Sequence, residues 1–502
     1  MKRYVLIIVV VVIGVAFMGY MLGSIGTKKD EKALLNTAPV IKEKGIEARS
    51  DVWGESYPNQ YDTWKMTSQS AKIEDMLEKY PQLVILWAGY GFSKDYNSPR
   101  GHAFALQSNR NTLRTGGPTG PDNGPMPMAC WACKSSDVPR LMAKEGENEF
   151  YTGKWARAGS EIVNPIGCAD CHNTQTSQLE ISRPYLTRAL EASGVDLDKI
   201  TYQEMRSLAC AQCHVEYYFR PTPYTSEDGK SKTAAVVTLP WAKGLTAEAM
   251  EEYYDEYDFS DWTHSLSDTP LLKAQHPGYE MFVTGIHYKR GLSCADCHLP
   301  YTQKGSIKFS THHIQSPLDD IANSCLTCHR QSEEEFRNIV KEKLKRKDQL
   351  HVIAMNSLAT AHLNAKKAWE VGATEEEMEP VLQMIRSGQW LWDFSIASHG
   401  SFFHAPEETL RLLAVANEKA QQANLMLTGV LAAHKVLNYQ VPDFSTKEKA
   451  QALAGVDLPM LIEEKLEFKN GLMKLWLEEA VREERLTNKF LDTLPDNASY
   501  PQ

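Results

Sequence analysis

The chain has 502 residues, 42% apolar and 24% charged, with 54 Lys and Arg against 64 Asp and Glu for a formal net charge of −10. This composition excludes a disordered polymer, and the length gives chain enough for two or three packed units. The negative balance argues against nucleic acid as a partner, and an anionic substrate would need a local cluster of positive charge.

The first 30 residues read "MKRYVLIIVVVVIGVAFMGYMLGSIGTKKD", in which Lys2 and Arg3 precede an uncharged run from Tyr4 to Thr27. About 20 apolar residues cross a bilayer, so the run is long enough to span. The basic flank and terminal position mark residues 1–27 as a secretory signal or an uncleaved membrane anchor, not part of the fold. Ser24 and Gly26 offer only a weak small-x-small cleavage site. In either case the body is expected to be exported, to the periplasm or the outer face of the cytoplasmic membrane.

Further on, "TGGPTGPDNGPMPM" at 115–128 is rich in Gly and Pro and predicts irregular backbone. An active-site loop and a plain surface turn share that composition. Five C-x-x-C pairs follow and use all ten cysteines. In an exported chain ten cysteines would ordinarily mean disulfides. Four of the pairs, however, run straight into histidine: Cys168 and Cys171 before His172, Cys210 and Cys213 before His214, Cys294 and Cys297 before His298, Cys325 and Cys328 before His329. C-x-x-C-H is the attachment site of a c-type haem, where two thiols bond the porphyrin and the adjoining imidazole reaches the iron. Zinc sites also use C-x-x-C, but they do not require histidine directly after the second cysteine four times running.

The remaining pair, Cys130 and Cys133 in "CWACK", has Lys134 where histidine is expected. Both thiols are kept, which argues against decay. Lysine ligates iron only as the neutral amine, so the metal must displace a proton, and axial ligand identity is a main lever on haem chemistry. Haems that only carry electrons are usually closed on both faces. Beyond the four proximal histidines, eleven remain: His102, His264, His276, His287, His312, His313, His351, His362, His399, His404 and His434. Four bis-histidine haems consume four of these. Nothing in the residues compels a distal ligand at the lysine haem, and an open iron is where a substrate binds.

After His329 there is no cysteine. "APEETLRLLAVANEKAQQANLMLTGVLAAHKVL" predicts a helix with Pro406 near its start and Leu410, Leu413, Ala420, Leu427 and Leu431 on one face. "MLIEEKLEFKNGLMKLWLEEAVREERL" reads as one further amphipathic helix, and "GQWLWDFSIASHG" brings aromatic bulk. The expected fold is mainly α with little β: a haem array packed by loops and helices in residues 28–330, covered by a long-helix unit in 331–502. Apolar stripes in that unit suit intramolecular packing or a dimer interface.

The order of sites, C-W-x-C-K then four C-x-x-C-H, resembles the ammonia-forming pentahaem cytochrome c nitrite reductases over residues 50–440. The larger octahaem enzymes would need more attachment sites. The resemblance implies five covalent haems c, a calcium ion, a homodimer, and six-electron reduction of nitrite to ammonium at the lysine haem. By the same resemblance Arg114 in "SNRNTLRTGG", Tyr217 in "CHVEYYF" and His276 in "LLKAQHPGYE" join Lys134 as catalytic residues. Glu216, Tyr217, Lys273 and Gln275 would hold calcium. Lys273 can offer only its carbonyl, since an ammonium has no lone pair, and Tyr217 would likewise bind through its main chain. The distal histidines would be His102, His287, His312 and His404, with His313 and His399 as competing neighbours for the last two. The electron donor would be a membrane quinol-oxidising cytochrome or a small periplasmic cytochrome. Taken alone, Arg114 reads as an exposed ion-pair residue, and His362 and His434 as structural histidines. Two other functions remain open at this level: an electron-transfer cytochrome without catalysis, or the same site acting mainly on hydroxylamine or sulfite.

Overall fold

The computed structural model describes residues 2–35 and 45–500. Helix α1 (Lys2–Leu35) contains the apolar segment Arg3–Ile25, with mean hydropathy 2.9, none of it buried by the rest of the chain. It is long and apolar enough to cross a membrane, as a signal sequence also is. Residues 36–44, in the first part of the expected haem region, lie outside the described residues.

Helix makes up 58% of the chain and strand 8%, so the fold is mainly α, as the sequence predicts. Up to residue 330 the helices of the body are short. Helix α2 (Ala105–Asn111) has 7 residues and α3 (Tyr202–Ala211) has 10. Brevity follows from the motifs: the attachment pentapeptides make a single turn, as at Cys168–Cys171 and Cys294–His298, before the chain must leave. The strands form three two-stranded hairpins. The longest pairs β1 (Tyr218–Thr225) with β2 (Ser231–Thr238), antiparallel, in register from Tyr218↔Thr238 to Thr225↔Ser231. It begins four residues after His214, which sets Glu216 and Tyr217 at its mouth.

The C-terminal region is built on three long helices. Helix α4 (Glu333–Glu370) starts on a capping box of Ser332 and Glu335, and α5 (Glu375–Ala397) on one of Thr374 and Glu377; each pair satisfies two orphan amides. Helix α6 (Pro406–Ala433) starts with proline at its first position, where the missing N–H costs nothing. Leu413, Ala420, Leu427 and Leu431 are buried along it as predicted, while Leu410 sits half-buried at the edge. In its second half α5 is buried all round, with Trp390, Leu391, Trp392, Asp393 and Phe394 each no more than 1% exposed. One side faces α4 and α6; the other meets the haem region, where Gln389 Nε2 donates to the Leu86 carbonyl and Trp390 Nε1 to that of Ala247. One apolar cluster therefore runs from Leu77 to Trp476 through both regions.

The stretch from Met460 to Leu486 departs from the single helix expected. It forms α7 (Leu458–Asn470) and α8 (Leu472–Arg482), broken at Gly471 (φ −107°, ψ −99°). The break lets Phe468 and Trp476 both reach the Trp155 ring, at 5.7 and 5.8 Å. Trp476 also lies flat against Gly159, where any Cβ would sit 2.0 Å from the indole.

Candidate active site and haem attachment segments

The five C-x-x-C segments are neighbours in space. The Cys133 thiol lies against that of Cys213, and Cys210 against Cys294. Cys171 Sγ approaches the Ala209 carbonyl at 3.8 Å, and Cys297 is within electrostatic reach of Cys325. No disulfide joins any two of the ten cysteines. The third segment (Cys210–His214) thus adjoins the first, second and fourth, and the fourth adjoins the fifth, leaving no segment isolated.

Residues inside the motifs lock this arrangement, which reading the motifs for their cysteines and histidines alone does not reveal. Asp170, inside "CADCH", accepts from the Gly167 amide at 2.7 Å and pairs at 2.5 Å with the fully buried Arg183. Arg183 also donates to the carbonyls of Ala132 (2.7 Å) and Ser135 (3.0 Å), tying the first segment to the second. Gln212, inside "CAQCH", donates to the Asp170 carbonyl. Asp296 repeats the pattern, accepting from the Ser293 amide at 2.7 Å and pairing with Arg206 at 2.6 Å. The aspartate recurring at the same place in both "CADCH" repeats was the available signal.

Imidazoles face one another in pairs. Two imidazoles on opposite faces of one metal, each bonded at about 2 Å, have ring centroids about 6 Å apart. His172 and His312 stand at 6.2 Å, His298 and His404 at 6.1 Å, His287 and His329 at 6.3 Å. The Nδ1 atoms of His172, His298 and His312 each lie 2.7–2.9 Å from a carbonyl, those of Ser177, Gln315 and Ser310. A carbonyl only accepts, so Nδ1 carries the proton and Nε2 keeps its lone pair for a metal. His313 instead bonds the Met66 carbonyl and Gln315, and His399 stands 5.8 Å from His276. His102 lies within electrostatic reach of His214. The bystanders have other partners: His264 and His362 stack at 3.7 Å and share the Ser267 hydroxyl, His351 accepts from Trp392 Nε1, and His434 pairs with Glu377. These residues fit haem.

Around the first segment the structure gathers all four predicted catalytic residues. Trp131, fully buried, donates to the Trp155 carbonyl at 2.8 Å and fixes the turn that carries Lys134. Cys130 is within electrostatic reach of Lys134 and Arg114, Tyr217 of Cys130 and Cys133, and His276 of Lys134. Arg114 has no carboxylate partner among the described residues. Its guanidinium lies 4.1 Å over the Phe92 ring and its Nε donates to Thr112 Oγ1 at 3.3 Å. Burial pushes the Tyr217 phenol well above its ordinary value, so it stays protonated. Burial, aided by His214, His399 and Lys134, holds His276 far below the ordinary imidazole value, so it is neutral, hydrogen-bonded to the Cys213 carbonyl.

The predicted calcium residues also converge. Glu216 is fully buried; its carboxylate accepts from the Gln275 amide (2.6 Å) and the Tyr254 hydroxyl (3.1 Å), and burial raises its carboxyl well above the ordinary range. No cation pairs with it among the described residues. The Gln275 side-chain amide lies 3.0 Å from the Lys273 carbonyl, and exchanging its N and O would aim two oxygens at one point. The Lys273 amine turns away to Asp393 (2.8 Å), leaving that carbonyl as its contribution. A buried carboxylate with amide and carbonyl oxygens beside it suits a hard divalent cation.

A mainly helical chain with five adjoining C-x-x-C segments and facing imidazoles defines a multihaem c-type cytochrome. The chain belongs to the cytochrome c552 family, which matches residues 49–485. It is 72% identical to cytochrome c-552 of Maridesulfovibrio salexigens over the full length of both chains. It is 62% identical to cytochrome c-552 of Desulfotalea psychrophila, over 100% of this chain and 99% of that one. The fold matches cytochrome c nitrite reductase from Desulfovibrio desulfuricans with a TM-score of 0.70 and 28% identity, covering 83% of this chain and 90% of that one. That protein is described as having two calcium sites in its catalytic subunit.

Proposed function

We propose that the chain reduces nitrite to ammonium at a haem that Cys130 and Cys133 would hold, with Lys134 as the residue that would ligate its iron. The observation that carries this reading is Arg114: an arginine without a carboxylate partner among the described residues, beside the one attachment segment that ends in lysine. Its planar fork matches the two oxygens of nitrite. The flat contact with Phe92 holds the guanidinium in place. Tyr217 donates its hydroxyl hydrogen to a nitrite oxygen, and neutral His276 orients the substrate and the water that brings protons. The pairs His172–His312, His214–His102, His298–His404 and His329–His287 would hold four further haems, whose chemistry there would be electron transfer to the first site, six electrons for each nitrite. Calcium on Glu216, Gln275 and the carbonyls of Lys273 and Tyr217 would fix Tyr217 and add positive potential. A pure electron carrier has no use for an anion receptor at one iron.

By the same reading the protein works outside the cytoplasm as a homodimer, fed by a membrane quinol-oxidising or small periplasmic cytochrome. The test supplies nitrite and a strong reductant to the purified protein and quantifies ammonium, nitric oxide and hydroxylamine. Ammonium in near-full yield, with six electrons consumed per nitrite, is expected. No loss of nitrite from protein shown to carry five haems would overturn the reading in favour of electron transfer alone.

A further inference from the structure

Helix α7 buries a lysine that the reaction above does not use. Lys465 is fully buried, and its Nζ donates to the Arg110 carbonyl at 3.1 Å and to Thr115 Oγ1 at 2.9 Å. It pairs with no carboxylate among the described residues. The ammonium instead lies 5.3 Å from the Phe468 ring and 6.0 Å from that of Trp155, contacts that favour a cation. An isolated buried cation is costly unless hydrogen-bonded. Both of its partners flank the turn that carries Arg114.

The rest of that turn is held in the same way. Asp95 Oδ2 accepts from the Thr112 hydroxyl (2.8 Å) and the Leu113 amide (2.9 Å). Thr115 Oγ1 also lies 2.9 Å from the carbonyls of Asn109 and Thr112, so its single hydrogen goes to them and its lone pair accepts from Lys465. Gly117 meets the Glu464 carbonyl so closely that a Cβ would stand 2.1 Å away. Leu113 packs into a small cluster with Leu461 of α7 and Tyr500.

We propose that Lys465 is a positioning residue for Arg114, its buried amine, which donates whether or not it carries the extra proton, clasping the 110–115 turn so that the guanidinium meets the anion at a fixed place. The inference rests on Arg114 being the nitrite receptor, as proposed above.

A double-mutant cycle on the five-haem protein tests it, reading nitrite affinity by spectral titration of the oxidised haems. Lys465→Met is expected to weaken nitrite about tenfold, which is about 1.4 kcal/mol, and to weaken it far less in an Arg114→Ala background. Turnover of hydroxylamine, which is uncharged near neutrality and does not need the guanidinium, is expected to change by less than twofold in Lys465→Met. Thr115→Val, which removes the acceptor and keeps the lysine, should reproduce the nitrite effect and serves if Lys465→Met fails to fold. Additive losses, or equal losses with nitrite and hydroxylamine, would make Lys465 a general packing residue and overturn the inference while leaving the receptor reading intact. An Arg114→Ala protein that binds nitrite normally would overturn both.

Discussion

The proposed role of Arg114 rests on its having no carboxylate partner among the described residues. A guanidinium on a surface ordinarily finds a carboxylate, whereas here it rests on Phe92 with only a hydroxyl at Nε. A charged hydrogen bond contributes about 1.5–3 kcal/mol. Arg114→Ala should therefore keep all five haems and raise the nitrite KM by about 10- to 100-fold, measured at fixed reductant. His276→Ala should likewise keep the haems and lose most nitrite turnover. Lys465 provides a pH signature. Burial and the neighbouring Lys469 lower its pKa to about 7, against the pull of Asp95 and Glu464. In the unfolded chain it titrates near its ordinary value, about 10.4. Below pH 7 both states hold the proton, and between the two values the unfolded chain holds more, so stability rises with pH across that window. Thermal unfolding at several pH values should show wild type gaining on Lys465→Met between pH 7 and 9, while groups common to both proteins cancel.

At the scale of elements, the short helices of the haem region hold together through buried polar links more than through long apolar faces. Arg183 is the clearest case, with no exposure and three bonds to the first two attachment segments, through Ala132, Ser135 and Asp170. Removing one partner of a buried pair costs about 3–5 kcal/mol because the other charge is stranded. Arg183→Leu should lower the melting temperature and the haem content, read by the covalent haem spectrum. At the β1 entrance, Glu216 is buried and pairs with no cationic side chain among the described residues. Chelation with EGTA should lower nitrite turnover, calcium should restore it, and Glu216→Gln should abolish the restoration.

At the scale of the whole molecule, α4, α5 and α6 form a wall shared with the haem region, because α5 is apolar on both sides. Among the described residues, none covers the apolar segment of α1. If that segment is retained in the cell, the full-length protein will sediment with membranes and release only with detergent, and a chain lacking residues 1–27 behind a cleavable signal will be soluble with the same five-haem spectrum. An intact mass short by the leader would show that it is a signal instead.

The chemistry was legible in the sequence because covalent attachment and metal ligation need fixed residue types at fixed spacing. Five C-x-x-C pairs, Lys134 in place of histidine, the apolar leader and the helix that starts at Pro406 could be read from local pattern alone. The break at Gly471 could not, since it depends on Phe468 and Trp476 reaching one distant ring. The facing of His312 toward His172, with His313 turned to Met66, was undecided for the same reason: adjacent residues look alike until the chain folds. Arg183 and Lys465 gave no signal in sequence. What distinguishes them is burial next to carbonyls, a carboxylate or a hydroxyl brought from far along the chain, and only the tertiary structure supplies that.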